Sequence, residues 1–137
     1  MAKSLYTTTS KKNPYYISKH RYLELKHFCL QYPEWKQRYR ELEDSIKHSK
    51  YYISTGECTS DRDIVSEMAS ELAELNRKIK MVEKCCEETD PELANYILQA
   101  VTRACTYEYF QTHTGIPCCR DTFYLRYRKY FWMLNRR

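Results

Sequence analysis

Two stretches of this chain place an apolar residue at alternating intervals of three and four positions, and this spacing constrains the fold more than any other feature. The first stretch carries Leu25, Phe28, Tyr32, Trp35, Tyr39, Leu42 and Ile46, and the second carries Val65, Met68, Leu72, Leu75, Ile79, Val82 and Cys86. Such a heptad seam is typical of a helix that buries one narrow face. It excludes strands, whose side chains alternate with a period of two.

The two heptad seams have equal lengths, each about 32 Å of helix at ~1.5 Å per residue. They predict an antiparallel helical hairpin over residues 18–88. The first seam is mostly aromatic and the second is aliphatic, so large rings can interdigitate with smaller side chains. In an alternative interpretation each seam faces a separate partner, including a second copy of the chain.

Local signals divide this hairpin. Ser18 can cap the first helix. Pro33 interrupts the first seam, which predicts either one kinked helix or two helices with Pro33 at the first position of the second. Residues 47–60 form the expected connection. Ser60 and Asp63 resemble a capping box at the start of the next helix. Residues 1–17 are polar and are expected to form an N-terminal arm.

Composition supports an all-α fold and excludes several functions. Only 2 of the 137 residues are glycine, too few for a barrel with many hairpins or for a glycine-rich phosphate loop. No apolar run approaches the ~20 residues that cross a bilayer, and Met1–Thr7 lacks the apolar core of a signal peptide. These observations predict a cytoplasmic protein without a membrane partner.

Cysteine and histidine patterns predict neither a metal centre nor an enzyme. The 7 cysteines include no Cys-x-x-Cys pair, and reduced, buried thiols are the expected state. The 4 histidines have no nucleophile or carboxylate at a known motif spacing. We therefore expect no catalytic residue, no metal and no cofactor.

The C-terminal part has the order of a helix-turn-helix unit, expected over residues 90–137. Asp90-Pro91 predicts a helix over 92–104, with Leu93, Ile97, Val101 and Ala104 on one face. Thr106 predicts a capped helix over 107–113. Gly115 and Pro117 predict a turn, after which Asp121 or a neighbour opens a helix over 122–135. On the last helix the apolar spacing points Phe123 or Tyr124, Tyr127, Tyr130 or Phe131, and Leu134 inward. Arg120, Arg126, Lys129, Arg136 and part of Arg128 are expected on its outside.

This segment resembles the autolysin-regulator-like (ArpU-like) and RinA-like late transcription activators carried by phages of Gram-positive bacteria. The resemblance covers about residues 64–137 and depends on Tyr107-Glu108-Tyr109-Phe110-Gln111, Gly115-Ile116-Pro117 and Asp121-Thr122-Phe123-Tyr124-Leu125-Arg126-Tyr127-Arg128-Lys129. It implies a helix-turn-helix similar to the fourth region of sigma factors. It also implies a phage or prophage protein that works in the cytoplasm of a bacterial host cell.

The charge distribution agrees with a nucleic-acid partner. The net charge is +5, and residues 101–137 hold 7 basic and 2 acidic side chains. The leading hypothesis is a non-enzymatic transcription regulator that reads double-stranded DNA with the helix 122–135, with RNA polymerase as a possible second partner. Its candidate DNA-binding residues are Arg120, Thr122, Tyr124, Arg126, Arg128 and Lys129. Monomer and homodimer both stay open, and residues 18–137 are expected to form one domain.

An alternative function starts from the acidic segment 61–100, with 5 basic and 10 acidic residues. A small phage-encoded inhibitor, in the manner of an anti-CRISPR protein, could cover the nucleic-acid channel of a host nuclease with carboxylates that mimic phosphates. Its candidate protein-contact residues are Asp61, Asp63, Glu67, Glu71 and Glu74. An ordinary solvated helix face would give the same pattern.

Overall fold

The fold is all-α, as the sequence predicts. A computed structural model describes residues 13–54 and 61–137, and within these ranges the regular structure is entirely helical, with no strand. The six helices of the described ranges are α1 (Lys19–Leu30), α2 (Tyr32–Ser54), α3 (Asp61–Thr89), α4 (Ala94–Arg103), α5 (Tyr107–His113) and α6 (Arg120–Asn135). The predicted arm lies mostly outside the described residues, as do Gly56 and the Ser60 cap.

The N-terminal helix begins and ends for local reasons. The Ser18 hydroxyl accepts a hydrogen bond from the Arg21 amide at 3.3 Å, which confirms the predicted cap. The helix ends at Leu30, and Gln31 separates it from α2. The structure therefore has two helices here, not one kinked helix. Pro33 is the second residue of α2, one position later in the helix than predicted, and the amide hydrogen that it lacks would have no helical partner there either.

The described residues fall into two compact units. The terminal unit comprises Met1–Gln31, of which residues 13–31 are described, together with Val82–Arg137. The central unit comprises Tyr32–Met81. The expectation that residues 18–137 form one domain stays a prediction.

The central unit contains α2 and the first part of α3. Trp35, Leu42, Ile46, Leu75 and Ile79 are its buried seam positions. The contacts between the helices include an ion pair, in which Arg38 Nε lies 2.9 Å from Glu71 Oε1, and the Lys78 ammonium, which lies 5.6 Å from the centre of the Trp35 ring. Their order along the two helices is the one expected of an antiparallel pair. The predicted connection over residues 47–60 is wrong for its first part, because α2 continues to Ser54. Residues 55–60 lie outside the described residues.

In the terminal unit α1, α4 and α6 pack against one another around an aromatic core. Its fully buried aromatic side chains are Tyr22, Phe110, Phe123, Tyr127, Tyr130 and Phe131. Leu93, Ile97, Val101 and the inward positions of α6 are buried as predicted, whereas Tyr124 is only half-buried. The core also contains Tyr22 and Cys29, which the seam positions of α1 do not include.

The connection from α3 to α4 depends on one carboxylate. Asp90 Oδ1 accepts from the amides of Glu92 and Leu93 at 3.0 and 3.3 Å and so organises a turn ahead of the helix. The N-cap residue of α4 is Leu93, without a side-chain hydrogen bond, so the predicted Asp90 cap is wrong. The helix begins at Ala94, two residues later than the sequence predicts, because the chain completes this turn first. At its other end Ala104 adopts a left-handed conformation with φ of 55°. Ala104 is therefore an exposed end residue, not part of the inward face.

Candidate nucleic-acid interface

The segment from α5 to α6 is fixed by its own short-range hydrogen bonds. The Thr106 hydroxyl accepts from the Tyr109 amide at 3.2 Å, which confirms the predicted cap of α5. Gly115 takes a left-handed φ of 73°, and its amide donates to the Phe110 carbonyl at 2.6 Å. This conformation ends α5 in the way that glycine ends many helices.

Aromatic side chains hold α5 against the beginning of α6. The ring of Phe123 lies 5.7 Å from that of Phe110 and 5.9 Å from that of Tyr107. The Tyr107 hydroxyl donates a hydrogen bond to the Cys118 carbonyl at 2.8 Å, and the Tyr107 amide donates one to the Tyr124 hydroxyl at 3.4 Å. These contacts set the position of α6 relative to the turn, so the first residues of α6 have a defined orientation beside α5.

The helix α6 starts at Arg120, two residues before the predicted position. Cys119 is its N-cap residue, and the Cys119 sulfur lies 3.2 Å from the Thr122 hydroxyl. The Thr122 hydroxyl and amide lower the pKa of the exposed Cys119 thiol. Thr122, a predicted DNA-binding residue, is half-buried, and its hydroxyl contacts Cys119 at the start of the helix.

Arg120 is exposed, whereas the other five predicted DNA-binding residues are half-buried. Its side chain is 65% exposed and its guanidinium Nη1 lies 3.1 Å from Oε1 of Glu108. The same guanidinium lies 5.6 Å from the centre of the Tyr124 ring. Burial raises the pKa of the Tyr124 hydroxyl, and the nearby Glu108 carboxylate raises it further. The structure thus brings together two predicted residues, Arg120 and Tyr124, and places beside them Glu108, which the sequence did not predict.

Arg126 occupies a different environment from the outward one that the sequence predicts. Its Nε donates to Oδ2 of Asp90 at 3.1 Å, and the two side chains are 33% and 20% exposed. This ion pair links the middle of α6 to the turn before α4. Arg126 therefore forms its ion pair within the terminal unit, and the structure does not bring it together with Arg120.

The remaining basic candidates on α6 are half-buried, and its exposed residues include some that sequence reasoning did not select. Arg128 and Lys129 are both intermediate in exposure. Asp121 is exposed, and Leu125 is an exposed large apolar residue at 37%. The helical spacing from Phe123 and Tyr127 already places Leu125 opposite the core, so a helical projection could have found it. No sequence signal joins Glu108 to Arg120.

The acidic candidates lie on α3 in the central unit. Glu71 accepts from Arg38 at 2.9 and 3.2 Å, and Glu74 accepts from Arg77 at 2.7 and 3.1 Å. These arginines lower the pKa of both carboxyl groups. Asp63 and Glu67 are exposed, and the side chain of Asp61 lies outside the described residues. Two of the five predicted contact residues therefore already have partners of opposite charge.

The buried thiols are placed for packing. Cys29, Cys85 and Cys86 are buried in the terminal unit, and burial raises the pKa of Cys29 to about 12. Over 13–54 and 61–137, no group of three or more histidine, cysteine or acidic side chains could hold a metal ion. None of the helices in the same ranges combines the length and apolar character that spanning a bilayer requires.

The described residues thus form an all-α structure with a short helix, a glycine-containing turn and a longer C-terminal helix that starts with an exposed arginine. The chain matches no protein-family model, no curated protein and no solved structure.

Proposed function

We propose that this chain is a non-enzymatic, DNA-binding transcription regulator of phage or prophage origin that works in the bacterial cytoplasm. In this proposal the first turns of α6 enter the major groove of double-stranded DNA. RNA polymerase is a candidate second partner, as the resemblance to the ArpU-like and RinA-like activators implies.

The observation that carries the proposal is the position of Arg120. It is the first residue of α6, its side chain is 65% exposed, and α5 packs behind it through Phe110 and Phe123. Recognition helices contact base edges mainly with their N-terminal residues, while the preceding helix lies near the backbone. Arginine at such a site can donate two hydrogen bonds to guanine or hold a phosphate.

The proposed contact set is ordered by accessibility. Arg120 leads, and Arg128 and Lys129 follow because they lie further along α6 and keep part of their surface exposed. Thr122 and Tyr124 support the helix end through Cys119 and Tyr107. Arg126 is assigned to bracing α6 through Asp90, since a guanidinium in a partly buried ion pair is costly to withdraw.

Duplex binding by a charge-matched pair of variants tests the proposal. A fluorescent duplex from the chain's own upstream region is titrated with the wild type and with Arg120→Ala/Lys129→Ala at several salt concentrations. Loss of two phosphate contacts should reduce the slope of log affinity against log salt by about two units. The control is Arg40→Ala/Lys80→Ala, which removes the same charge from exposed positions of the central unit.

Two results would contradict the proposal. The first is equal binding and equal salt slopes for the wild type and the α6 variant. The second is recovery of a host nuclease by the purified chain with no duplex binding at low salt, which would favour the inhibitor hypothesis and the exposed carboxylates of Asp63 and Glu67.

A further inference from the structure

We propose that Glu108 restrains non-specific duplex binding by holding the guanidinium of Arg120 in an ion pair that nucleic acid must displace. This inference rests on the proposed DNA-binding function. It assigns a role to an acidic residue of α5 that lies beside the leading basic residue of α6.

The geometry of the pair places a carboxylate inside the proposed interface. Glu108 lies in the first turn of α5, and its Oε1 is 3.1 Å from Nη1 of Arg120 at the start of α6. Tyr124 lies beside both residues, since its ring is 5.6 Å from the Arg120 guanidinium and its hydroxyl accepts a hydrogen bond from the amide of Tyr107, the residue before Glu108. The Tyr124 ring can therefore keep the guanidinium in place when the carboxylate is exchanged for another anion.

The exposure of the pair makes this exchange possible. The side chains of Arg120 and Glu108 are 65% and 53% exposed, so water and salt screen their attraction. In the other pair, the side chains of Arg126 and Asp90 are 33% and 20% exposed. The Asp90 carboxylate is also held by hydrogen bonds from the backbone amides of Glu92 and Leu93. Of these two arginines, Arg120 is the one that a phosphate can capture at low cost.

Two electrostatic effects then weaken binding to an arbitrary sequence. In the free protein Arg120 is occupied, so a phosphate has to displace Glu108 before it gains the arginine. After displacement the Glu108 carboxylate stays within about one Debye length of the phosphates, roughly 8–10 Å at moderate salt, and repels them. Neutralising Glu108 removes both effects without removing any basic side chain.

The test compares two isosteric variants that each neutralise one glutamate of an exposed ion pair. Glu108→Gln frees Arg120, whereas Glu24→Gln frees Arg21 in an i,i+3 pair on α1. The Arg21 side chain also donates a hydrogen bond to Asn135 at the far end of α6. Asn135 is about 22 Å from Arg120 along the helix at ~1.5 Å per residue, so the control pair lies away from the proposed interface. Both changes raise the net charge equally. Affinity for a short duplex of random sequence is measured by fluorescence anisotropy at low and physiological salt, and melting curves check the folding of each variant.

We expect Glu108→Gln to bind the random duplex about fivefold more tightly than the wild type at low salt, with a steeper salt slope by about one unit, because one more cation reaches the phosphates. Glu24→Gln should stay within about twofold of the wild type, since it changes only the long-range charge. Adding Arg120→Ala to Glu108→Gln should abolish the gain.

The outcomes separate this inference from the proposed function. If the wild type binds duplex DNA but Glu108→Gln and Glu24→Gln behave alike, the role of Glu108 is wrong and the DNA-binding function stands. A gain that survives Arg120→Ala also overturns the role of Glu108. If neither the wild type nor Glu108→Gln binds duplex at low salt, both proposals fall together.

Discussion

Arg126 and Asp90 form an ion pair that joins α6 to the turn before α4. The Arg126 Nε donates to Asp90 Oδ2 at 3.1 Å, while Oδ1 of the same carboxylate accepts from the amides of Glu92 and Leu93. One carboxylate thus organises a turn and holds a helix that lies more than thirty residues further along the chain. Removal of the Asp90 carboxylate should therefore lower the free energy of unfolding more than removal of an exposed ion pair does.

The first prediction concerns this pair. Asp90→Ala should lower the free energy of unfolding by about 1–2 kcal/mol, because it removes the turn hydrogen bonds and leaves Arg126 without this partner. Glu24→Ala, which breaks the exposed pair with Arg21, should cost less than ~0.5 kcal/mol. Urea denaturation measures both values. Equal losses for the two variants would show that Asp90 does not brace α6.

The second prediction concerns the hydroxyl groups of Tyr22 and Tyr127, which lie 2.9 Å apart in the core of the terminal unit. Tyr22→Phe should cost about 1–2 kcal/mol, since it removes the hydrogen bond and leaves the Tyr127 hydroxyl buried. The double variant Tyr22→Phe/Tyr127→Phe should cost less than the sum of the two single changes. A double-mutant cycle in urea measures this coupling, and strict additivity would contradict it.

The third prediction concerns the left-handed residue at the end of α4. Ala104→Gly should raise the free energy of unfolding by about 0.5–1 kcal/mol, because glycine adopts a φ of 55° without the steric cost of a Cβ. The same substitution inside a helix should have the opposite sign. Ala73→Gly, at an exposed position within α3, is the control and should cost about 1 kcal/mol. Destabilisation by both changes would argue against the left-handed conformation.

The fourth prediction concerns thiol reactivity. The lowered pKa of Cys119 means that its thiolate forms at lower pH than an ordinary thiol does, so iodoacetamide should label it faster at neutral pH than buried Cys29, whose pKa is raised to about 12. Thr122→Val should move the labelling profile of Cys119 to higher pH, since it removes the hydroxyl that stabilises the thiolate. Peptide mass spectrometry at a series of pH values measures the rates. Faster labelling of Cys29, or a profile of Cys119 that Thr122→Val leaves unchanged, would contradict this prediction.

Local signals in the sequence were sufficient for much of the fold. The Ser18 and Thr106 caps, the bounds of α5 and the inward positions of α6 depend on residues within about one helical turn of each other. The seams predicted the helices of the central unit for the same reason. The start of α6 was less well predicted, because Cys119 is a weak capping residue and a sequence rule favours Asp121.

Tertiary structure decided which charged side chains are available. From the sequence alone, Arg120 just before the predicted last helix and Arg126 within it are both expected on the outside. The structure pairs Arg126 with Asp90 in a partly buried site and Arg120 with exposed Glu108, and these partners come from other helices or turns. The period of a helix determines which direction a side chain points, but only the packing of distant segments determines what it meets and how much water remains around it.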